Sequence, residues 1–216
     1  MVNLYIVGSG GLGRGLADAL IFDNHKQIED EFNNIYFVDD NTRGMFINDL
    51  EVKMNIDELC DFNEKCLVIN ALGEPKVRKN IQKRLLSNRN LIFPNYIDSD
   101  VKLYKNTQIG KGNIITRGVV LSTNIEIGDF NLIHFNCTIG HDVKIENYNC
   151  IYPLVSLSGY TSVGSGNMIG TGSSSLLGSC LNNFVKVGAN SLIRGNYESN
   201  ITIVGSPAIK ISNEIE

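Results

Sequence analysis

Apolar side chains recur at every sixth position through the second half of the chain. In steps of six from Ile97 to Ile193, sixteen of seventeen positions are Ile, Leu or Val, and the exception is Ser175. This period fits neither the 3.6-residue repeat of an amphipathic helix nor the two-residue alternation of a long strand. It is typical of a solenoid whose coils contain three short strands, with one aliphatic side chain in six pointing inward. The pattern therefore predicts an all-β solenoid over residues 96–216.

Small residues follow the aliphatic positions in the same period. The next position is often glycine, and the fourth position after the aliphatic one is often Asn or another small residue. Glycine and asparagine adopt positive φ more readily than other residues. We therefore expect these residues to relax the backbone at the corners between strands. The glycines are Gly110, Gly128, Gly140, Gly164, Gly170 and Gly188.

The first ninety-five residues lack this period and alternate strand and helix patterns instead. The apolar runs "NLYIVG", "IYFVDD", "CLVINALG" and "LIFPN" predict strands, whereas "GLADAL" and "EPKVRKNIQKRLL" have helical patterns. His25 is expected to be a solvated residue at a helix end. Such alternation is typical of a parallel sheet with crossover helices. Residues 1–95 are therefore predicted to form a Rossmann-like α/β lobe, joined near Pro94 to the solenoid.

A glycine-rich turn follows the first predicted strand. Gly8, Gly10 and Gly13 have the GxGxxG spacing, which lets a ligand approach the backbone at a helix N-terminus. Asp39 and Asp40 end the next strand, where their carboxylates can accept hydrogen bonds from a ligand. A nicotinamide dinucleotide is one alternative ligand. Nothing further along the chain resembles the substrate domain of an oxidoreductase.

Composition narrows the classes of function. The net charge is −4, and no run of Lys and Arg offers a footprint for the phosphates of a nucleic acid. The chain contains no run of eighteen apolar residues that could span a membrane. Its N-terminus also lacks the basic region that begins a signal peptide, so we expect a cytoplasmic protein. Five cysteines without a CxxC pair and three histidines without tight spacing predict neither a disulfide framework nor a metal site.

The hexapeptides "IGKGNI", "IGDFNL", "IGHDVK" and "VGSGNM" resemble the repeat of left-handed parallel β-helix acyltransferases. With the N-terminal lobe, nearly the whole chain is similar to the sialic acid O-acetyltransferases and the UDP-4-amino-sugar N-acetyltransferases. The resemblance implies that residues 1–95 bind a sugar or nucleotide-sugar acceptor. It also implies that residues 96–216 form a homotrimer that holds acetyl-CoA between neighbouring subunits.

The resemblance also implies binding residues. Those expected at the acceptor are Gly8, Ser9, Gly10, Gly11, Asp39, Asp40 and Gly73. Those expected at the cofactor are Cys150, Gly159, Gly170, Gly188 and Ala189. Two residues depart from the family pattern. Leu12 stands where many members have histidine or an aromatic residue, and Cys150 stands where some members have a second histidine.

His141 and Asp142 in "TIGHDVKI" are the candidate catalytic residues. By position alone, an exposed histidine in a turn is the favoured interpretation of His141. The resemblance assigns it as the base that deprotonates the acceptor, because imidazole is largely unprotonated at neutral pH. Asp142 is the candidate partner of the ring, although an acid of another subunit is an alternative. His134 could serve the acceptor site or the structure, and no motif predicts a serine nucleophile.

The expected function is acetyl transfer from acetyl-CoA to an amino group of a nucleotide-linked sugar in surface-glycan biosynthesis. O-acetylation of a sialic-acid-like sugar is one alternative, and a non-catalytic protein that binds sugar nucleotides is another. A homotrimer is also expected because apolar residues are predicted on the outside of the coils, where three-fold packing would bury them. These residues are Val119, Leu132, Phe135 and Leu154.

Overall fold

The computed structural model describes residues 2–24, 27–28 and 30–213. The chain divides into two compact units between Tyr96 and Ile97. His25, which the sequence predicts to be a solvated helix-end residue, lies outside the described residues.

The first unit alternates strands and helices around a six-stranded sheet. Its strand order is β3-β4-β2-β1-β5-β6, and only β3 pairs antiparallel. The central strand β1 ends in four fully buried residues, Leu4 to Val7. The elements are β1 (Val2–Val7), α1 (Gly11–Phe22), β2 (Phe32–Val38), β3 (Phe46–Ile47), β4 (Leu50–Met54), α2 (Ile56–Cys60), β5 (Cys66–Asn70), α3 (Pro75–Leu85) and β6 (Leu91–Ile92).

Two features of this unit have no counterpart in the predicted pattern. They are the β3–β4 hairpin and the five-residue helix α2. The helix is fixed by a capping box, in which the Asn55 side chain accepts from Glu58 N and the Glu58 side chain accepts from Asn55 N. Both features are too short to show a period in the sequence. No helix among the described residues is long and apolar enough to cross a lipid bilayer.

The second unit is a parallel β-helix of short strands joined by corners. Strands β9 to β23 form five complete coils of three strands, and most strands pair with the strand eighteen residues later, as Val120 does with Thr138. The strands are β7 (Tyr96–Ile97), β8 (Gln108–Ile109), β9 (Ile114–Ile115), β10 (Val120–Leu121), β11 (Glu126–Ile127), β12 (Leu132–Ile133), β13 (Thr138–Ile139), β14 (Lys144–Ile145), β15 (Cys150–Ile151), β16 (Ser156–Leu157), β17 (Ser162–Val163), β18 (Met168–Ile169), β19 (Ser174–Ser175), β20 (Cys180–Leu181), β21 (Lys186–Val187), β22 (Leu192–Ile193), β23 (Asn196–Tyr197), β24 (Ile201–Val204) and β25 (Ile209–Asn213).

Three sheets form the faces of this unit. The five-stranded face contains β10, β13, β16, β19 and β22, and the six-stranded face contains β8, β11, β14, β17, β20 and β23. The eight-stranded face contains the other strands and is closed by β25, which pairs antiparallel with β24. From Ile115 to Ile193, the aliphatic residues of the six-residue period form one buried cluster between the faces. The predicted fold class is confirmed.

The polar member of the apolar column is satisfied by hydrogen bonds. Ser175 is 3% exposed, and its Oγ accepts from Ser158 N at 2.9 Å and lies 2.8 Å from Thr161 Oγ1. A buried hydroxyl costs little when it is hydrogen-bonded. The break in the six-residue period therefore causes no break in the column.

Buried asparagines connect successive coils. Asn113, Asn131, Asn149 and Asn167 are completely buried at equivalent corners. Asn131 Nδ2 donates to Asn113 Oδ1, and Asn149 Nδ2 donates to Asn131 Oδ1, each at 3.1 Å. These side chains stack the coils, and they do not occupy the positive-φ positions that the sequence predicted for them.

The predicted role of the corner glycines is also wrong. Gly128 and Gly140 do not have positive φ, which lies two residues later at Phe130 (57°) and Asp142 (58°). Glycine is needed because the coils approach closely. A Cβ atom at Gly140 would lie 2.6 Å from the backbone N of Gly159 in the next coil.

Three expectations about side-chain direction are corrected. Leu103, predicted to point inward, is 48% exposed, because the residues before β8 form no complete coil. Val119 is buried in the core cluster, and its neighbour Val120 is the exposed residue. Leu132 is also buried, as are its cross-strand neighbours Ile114 and Cys150. Phe135 and Leu154 are exposed as predicted.

Candidate active site

His141 lies at the corner between β13 and β14. The corner is fixed by backbone hydrogen bonds to the next coil, from Gly140 N to Leu157 O at 2.7 Å and from Tyr160 N to His141 O at 3.0 Å. The imidazole lies outside the apolar column, with 46% of the side chain exposed. Its position therefore depends on neighbouring polar and aromatic groups rather than on core packing.

Asp142 is the hydrogen-bonding partner of this ring. Its Oδ2 lies 2.8 Å from His141 Nδ1, and its Oδ1 accepts from Asn124 Nδ2 at 3.1 Å. These hydrogen bonds, first that of His141 and then that of Asn124, lower the pKa of the Asp142 carboxyl. Asp142 is therefore a carboxylate at neutral pH.

This pairing determines which ring nitrogen can act as a base. A carboxylate only accepts hydrogen bonds, so His141 Nδ1 must carry the proton that it donates to Asp142. In the neutral imidazole the other nitrogen, Nε2, then holds a free lone pair. The geometry thus provides a proton acceptor at an exposed edge, with an acid that stabilises the protonated ring.

Two residues of the next coil enclose the ring. A Cβ atom at Gly159 would lie 2.6 Å from both Cε1 and Nε2 of His141, so only glycine leaves room for the imidazole in this orientation. The ring of Tyr160 meets that of His141 edge to face, with centroids 5.0 Å apart and an angle of 87°. Nε2 therefore lies beside the backbone of Gly159.

The predicted cofactor residues fall into separate places. Gly159 lies with His141 on one edge of the five-stranded face, hereafter the His141 edge. Gly170, Gly188 and Ala189 lie at the corners that precede β19 and β22, on the other edge of that face. A Cβ atom at Gly170 would lie 2.6 Å from Ala189 N, so these residues are closely stacked. Cys150 is completely buried in β15.

The five-stranded face and its two edges also carry exposed apolar side chains. These are Val120, Phe135, Leu154, Tyr160, Leu176 and Leu177. The six-stranded face is polar by comparison, with Lys144 Nζ 2.9 Å from Glu126 Oε1. These six side chains thus surround the same face as the candidate site, whereas Ile209 and Ile211 are exposed on β25 of the eight-stranded face.

His134 lies at a corner after β12, on the edge opposite His141. Its Nδ1 accepts a hydrogen bond from Phe135 N at 2.9 Å, and its ring packs edge to face on that of Phe135. Burial lowers the pKa of His134, so the ring is neutral at physiological pH. Within one chain, it is not placed beside the His141–Asp142 pair.

The glycine turn of the first unit separates into packing and open positions. Gly8 has φ of +96°, and a Cβ atom at Gly13 would lie 1.9 Å from Gly8 O, so both glycines are required where α1 meets β1. By contrast, Cβ atoms at Gly10, Gly11 and Gly73 would meet no atom within 4 Å. These three positions leave space where a ligand could approach the backbone.

The two acids beside this turn already have partners. Asp39 Oδ2 accepts from Ser9 N at 3.0 Å and from Ser9 Oγ at 2.8 Å, while its Oδ1 accepts from Asn41 N. Burial acts to raise the pKa of Asp39, but these hydrogen bonds outweigh it and lower the pKa overall. Asp40 accepts from Ile56 N at the start of α2. Asp39 thus shapes the turn, and Asp40 holds the following helix.

Sequence reasoning missed Asn124 and Tyr160. Both lie in the column of Asp142, eighteen residues before and eighteen residues after it. Because the coil repeat brings such residues together, adding and subtracting eighteen from each candidate would have identified them. The described residues contain no group of three or more His, Cys, Asp or Glu side chains placed to hold a metal ion.

Comparison with known proteins agrees with this architecture. Residues 3–85 match the family described as the PglD N-terminal domain. This match covers most of the first unit and none of the β-helix. No curated protein matches the chain by sequence.

Solved structures extend the likeness beyond the PglD N-terminal domain to the β-helix. The acetyltransferase domain of PglB from Neisseria gonorrhoeae in complex with acetyl coenzyme A superimposes with a TM-score of 0.88 at 24% identity, covering 97% of this chain and 98% of that one. A variant of perosamine N-acetyltransferase from Caulobacter crescentus, with a histidine changed to asparagine and solved with CoA and GDP-perosamine, gives 0.86 at 17% identity, covering 99% and 98%. The resemblance to hexapeptide-repeat sugar acetyltransferases with an N-terminal lobe is confirmed.

Proposed function

We propose that the protein is an acetyl-CoA-dependent N-acetyltransferase for an amino group of a nucleotide-linked sugar in surface-glycan biosynthesis. The observation that carries this proposal is the His141–Asp142 pair, in which Nδ1 of an exposed histidine faces the carboxylate and Nε2 lies beside the Gly159 backbone. The similar structures with acetyl coenzyme A, or with CoA and GDP-perosamine, support the same pair of substrates. A cytoplasmic protein would meet both.

The proposed reaction is direct transfer. The sugar amine attacks the thioester carbonyl, and His141 Nε2 takes the proton that the nitrogen loses on forming the amide bond. Asp142 stabilises the resulting imidazolium through Nδ1. The bond between the acetyl carbon and sulfur then breaks, and the proton on Nε2 passes to the departing CoA thiolate. Atoms and charge balance without a covalent enzyme intermediate.

We propose that the backbone of Gly159 binds the acetyl group during transfer. The hydrogen bonds of the described residues include none from Gly159 N, and the Cα of this residue lies beside the imidazole. A backbone N–H in this place can donate to the oxygen that becomes negative as the amine adds. Gly170, Gly188 and Ala189 on the other edge are proposed to contact the rest of the acetyl-CoA molecule, and Cys150, which is buried, is a weaker candidate.

We assign acceptor binding to the first unit, at the open glycines. Gly10→Val should raise the Kd for the acceptor by about tenfold or more, because the side chain would fill space that is now open. Acetyl-CoA affinity should not change. Calorimetry with each substrate measures both effects. Gly15→Val is the matched control, since Gly15 also faces open space but lies further along α1. Equal losses in both variants would contradict the assignment, as would tight binding of a nicotinamide dinucleotide.

We propose that the active form is a homotrimer. The exposed apolar residues surround the five-stranded face, where burial by a second copy would remove them from water. The residues proposed for acetyl-CoA lie on both edges of that face, so packed copies could complete the site. Sedimentation should show a species about three times the 23.8 kDa chain at micromolar concentration. A stable monomer would contradict the trimer and the shared site.

A thiol-release assay tests the function. Acetyl-CoA and the protein are incubated with a panel of nucleotide-linked amino sugars, free amino sugars and sialic-acid-like sugars. The proposal expects CoA release with one or more nucleotide-linked amino sugars. Release with a sialic-acid-like sugar alone would favour O-acetylation. No release with any acceptor, together with binding of a nucleotide sugar, would favour the non-catalytic alternative.

A further inference from the structure

A column of hydrogen-bonded side chains runs along the His141 edge and ends at the imidazole. Asn106 Nδ2 lies 3.2 Å from Asn124 Oδ1, and Asn124 Nδ2 lies 3.1 Å from Asp142 Oδ1. These three residues are eighteen apart and therefore stack in successive levels along this edge. The other oxygen of Asp142 lies 2.8 Å from His141 Nδ1.

The donors and acceptors in this column have a defined direction. Asn124 Oδ1 faces two donors, Asn106 Nδ2 and, at 3.4 Å, Thr123 Oγ1. The amide NH₂ of Asn124 therefore faces Asp142, a carboxylate that can only accept. Because one oxygen of Asp142 is held in this way, the other is directed at the imidazole.

We infer that Asn124 is a positioning residue for the transfer reaction, holding Asp142 so that His141 keeps its proton on Nδ1 and presents Nε2 as the base. This inference rests on the proposed function. Asp142 is one-third exposed, so water could otherwise compete for its oxygens and let the carboxylate rotate. The ring would then lose the contact that selects its tautomer.

The chain offers a matched control for a purely structural role of Asn124. Asn136 has the same φ of 56° and lies at an equivalent corner, but on the other edge of the five-stranded face, where its side chain stacks over Gly118. Glycine occurs with positive φ at other such corners, including Gly118, Gly172 and Gly178. Asn124→Gly and Asn136→Gly therefore each remove a side chain without backbone strain.

The test is NMR of the imidazole nitrogens in the full-length protein labelled with ¹⁵N-histidine. The chain has three histidines, and His141→Ala identifies the signals of interest. In the wild-type protein, at a pH where the His141 ring is uncharged, its single ring proton should lie mainly on Nδ1. Asn124→Gly should raise the fraction protonated on Nε2 and lower kcat on the order of tenfold, with KM for acetyl-CoA unchanged. Asn136→Gly should change neither.

Two results would overturn the inference. One is an unchanged tautomer in Asn124→Gly, and the other is an equal shift in Asn136→Gly. Asn124→Asp, which keeps the size but cannot donate to Asp142 when ionised, provides a second test if the glycine variant does not fold. The tautomer is measured without turnover. Failure to acetylate any acceptor would therefore refute the proposed function while leaving the assignment of the column intact.

Discussion

His141→Ala should lower kcat for acetyl transfer by roughly 10²- to 10⁴-fold, which is the usual contribution of a general base. The affinity for acetyl-CoA should change little, because the ring acts on the proton of the acceptor. Thermal stability should also change little, since the side chain lies outside the apolar column of Ile133, Ile139 and Ile145. Steady-state kinetics, calorimetry and thermal melting measure the three quantities.

Lys111→Ala is the matched control, because it also removes an exposed corner side chain but on another edge. It should retain wild-type kcat. A folded His141→Ala protein that binds acetyl-CoA and retains more than about a third of the wild-type rate would exclude the general-base role. His141 would then be an exposed histidine in a turn.

Gly159→Ala should lower kcat on the order of 10²-fold, the effect expected when a catalytic group is displaced by about an ångström. The backbone at Gly159 is not in the left-handed region, so alanine is allowed by the local conformation. Its methyl group would nevertheless lie 2.6 Å from Nε2 and Cε1 of His141, and the ring would have to move. Single-turnover kinetics with saturating acetyl-CoA measures the effect.

A double-mutant cycle separates the two roles proposed for Gly159. If the alanine acts only by displacing the imidazole, Gly159→Ala should have almost no effect in the His141→Ala background. An additional loss there would indicate direct contact with the acetyl group. Wild-type kcat in the single variant would contradict the placement of His141 beside Gly159.

The sequence predicted the β-helix because its period records the geometry of the coils directly. Inward positions must be apolar or, as at Ser175, satisfied by hydrogen bonds, and close stacking requires glycine where coils approach, as at Gly140 against Gly159 N. The sequence shows no comparable pattern for the side chains on the outside of the coils, so their exposure was predicted less well. Val119 and Val120 are adjacent valines, and one residue of phase decides which of them is buried. Leu132 is buried although its position in the repeat predicts an outer surface.

The candidate site was predictable in part. The neighbours His141 and Asp142 form the expected pair, but the assignment of Cys150 came from an offset in the family pattern, and this residue is buried in a strand. The glycine motif of the first unit was ambiguous for a physical reason. Gly8 and Gly13 are required by the packing of β1 against α1 whether or not a ligand binds, so the motif alone does not predict a ligand.

The most direct test follows the acetyl group itself. Acetyl-CoA labelled with ¹³C in the acetyl group is incubated with a nucleotide-linked amino sugar and either the wild-type protein or His141→Ala, and the product is examined by NMR. We expect a labelled amide on the sugar nitrogen with the wild-type protein and at least about a hundredfold slower formation with the variant. A labelled ester on a sugar hydroxyl, label retained on the protein, or equal rates for both proteins would contradict the proposed function.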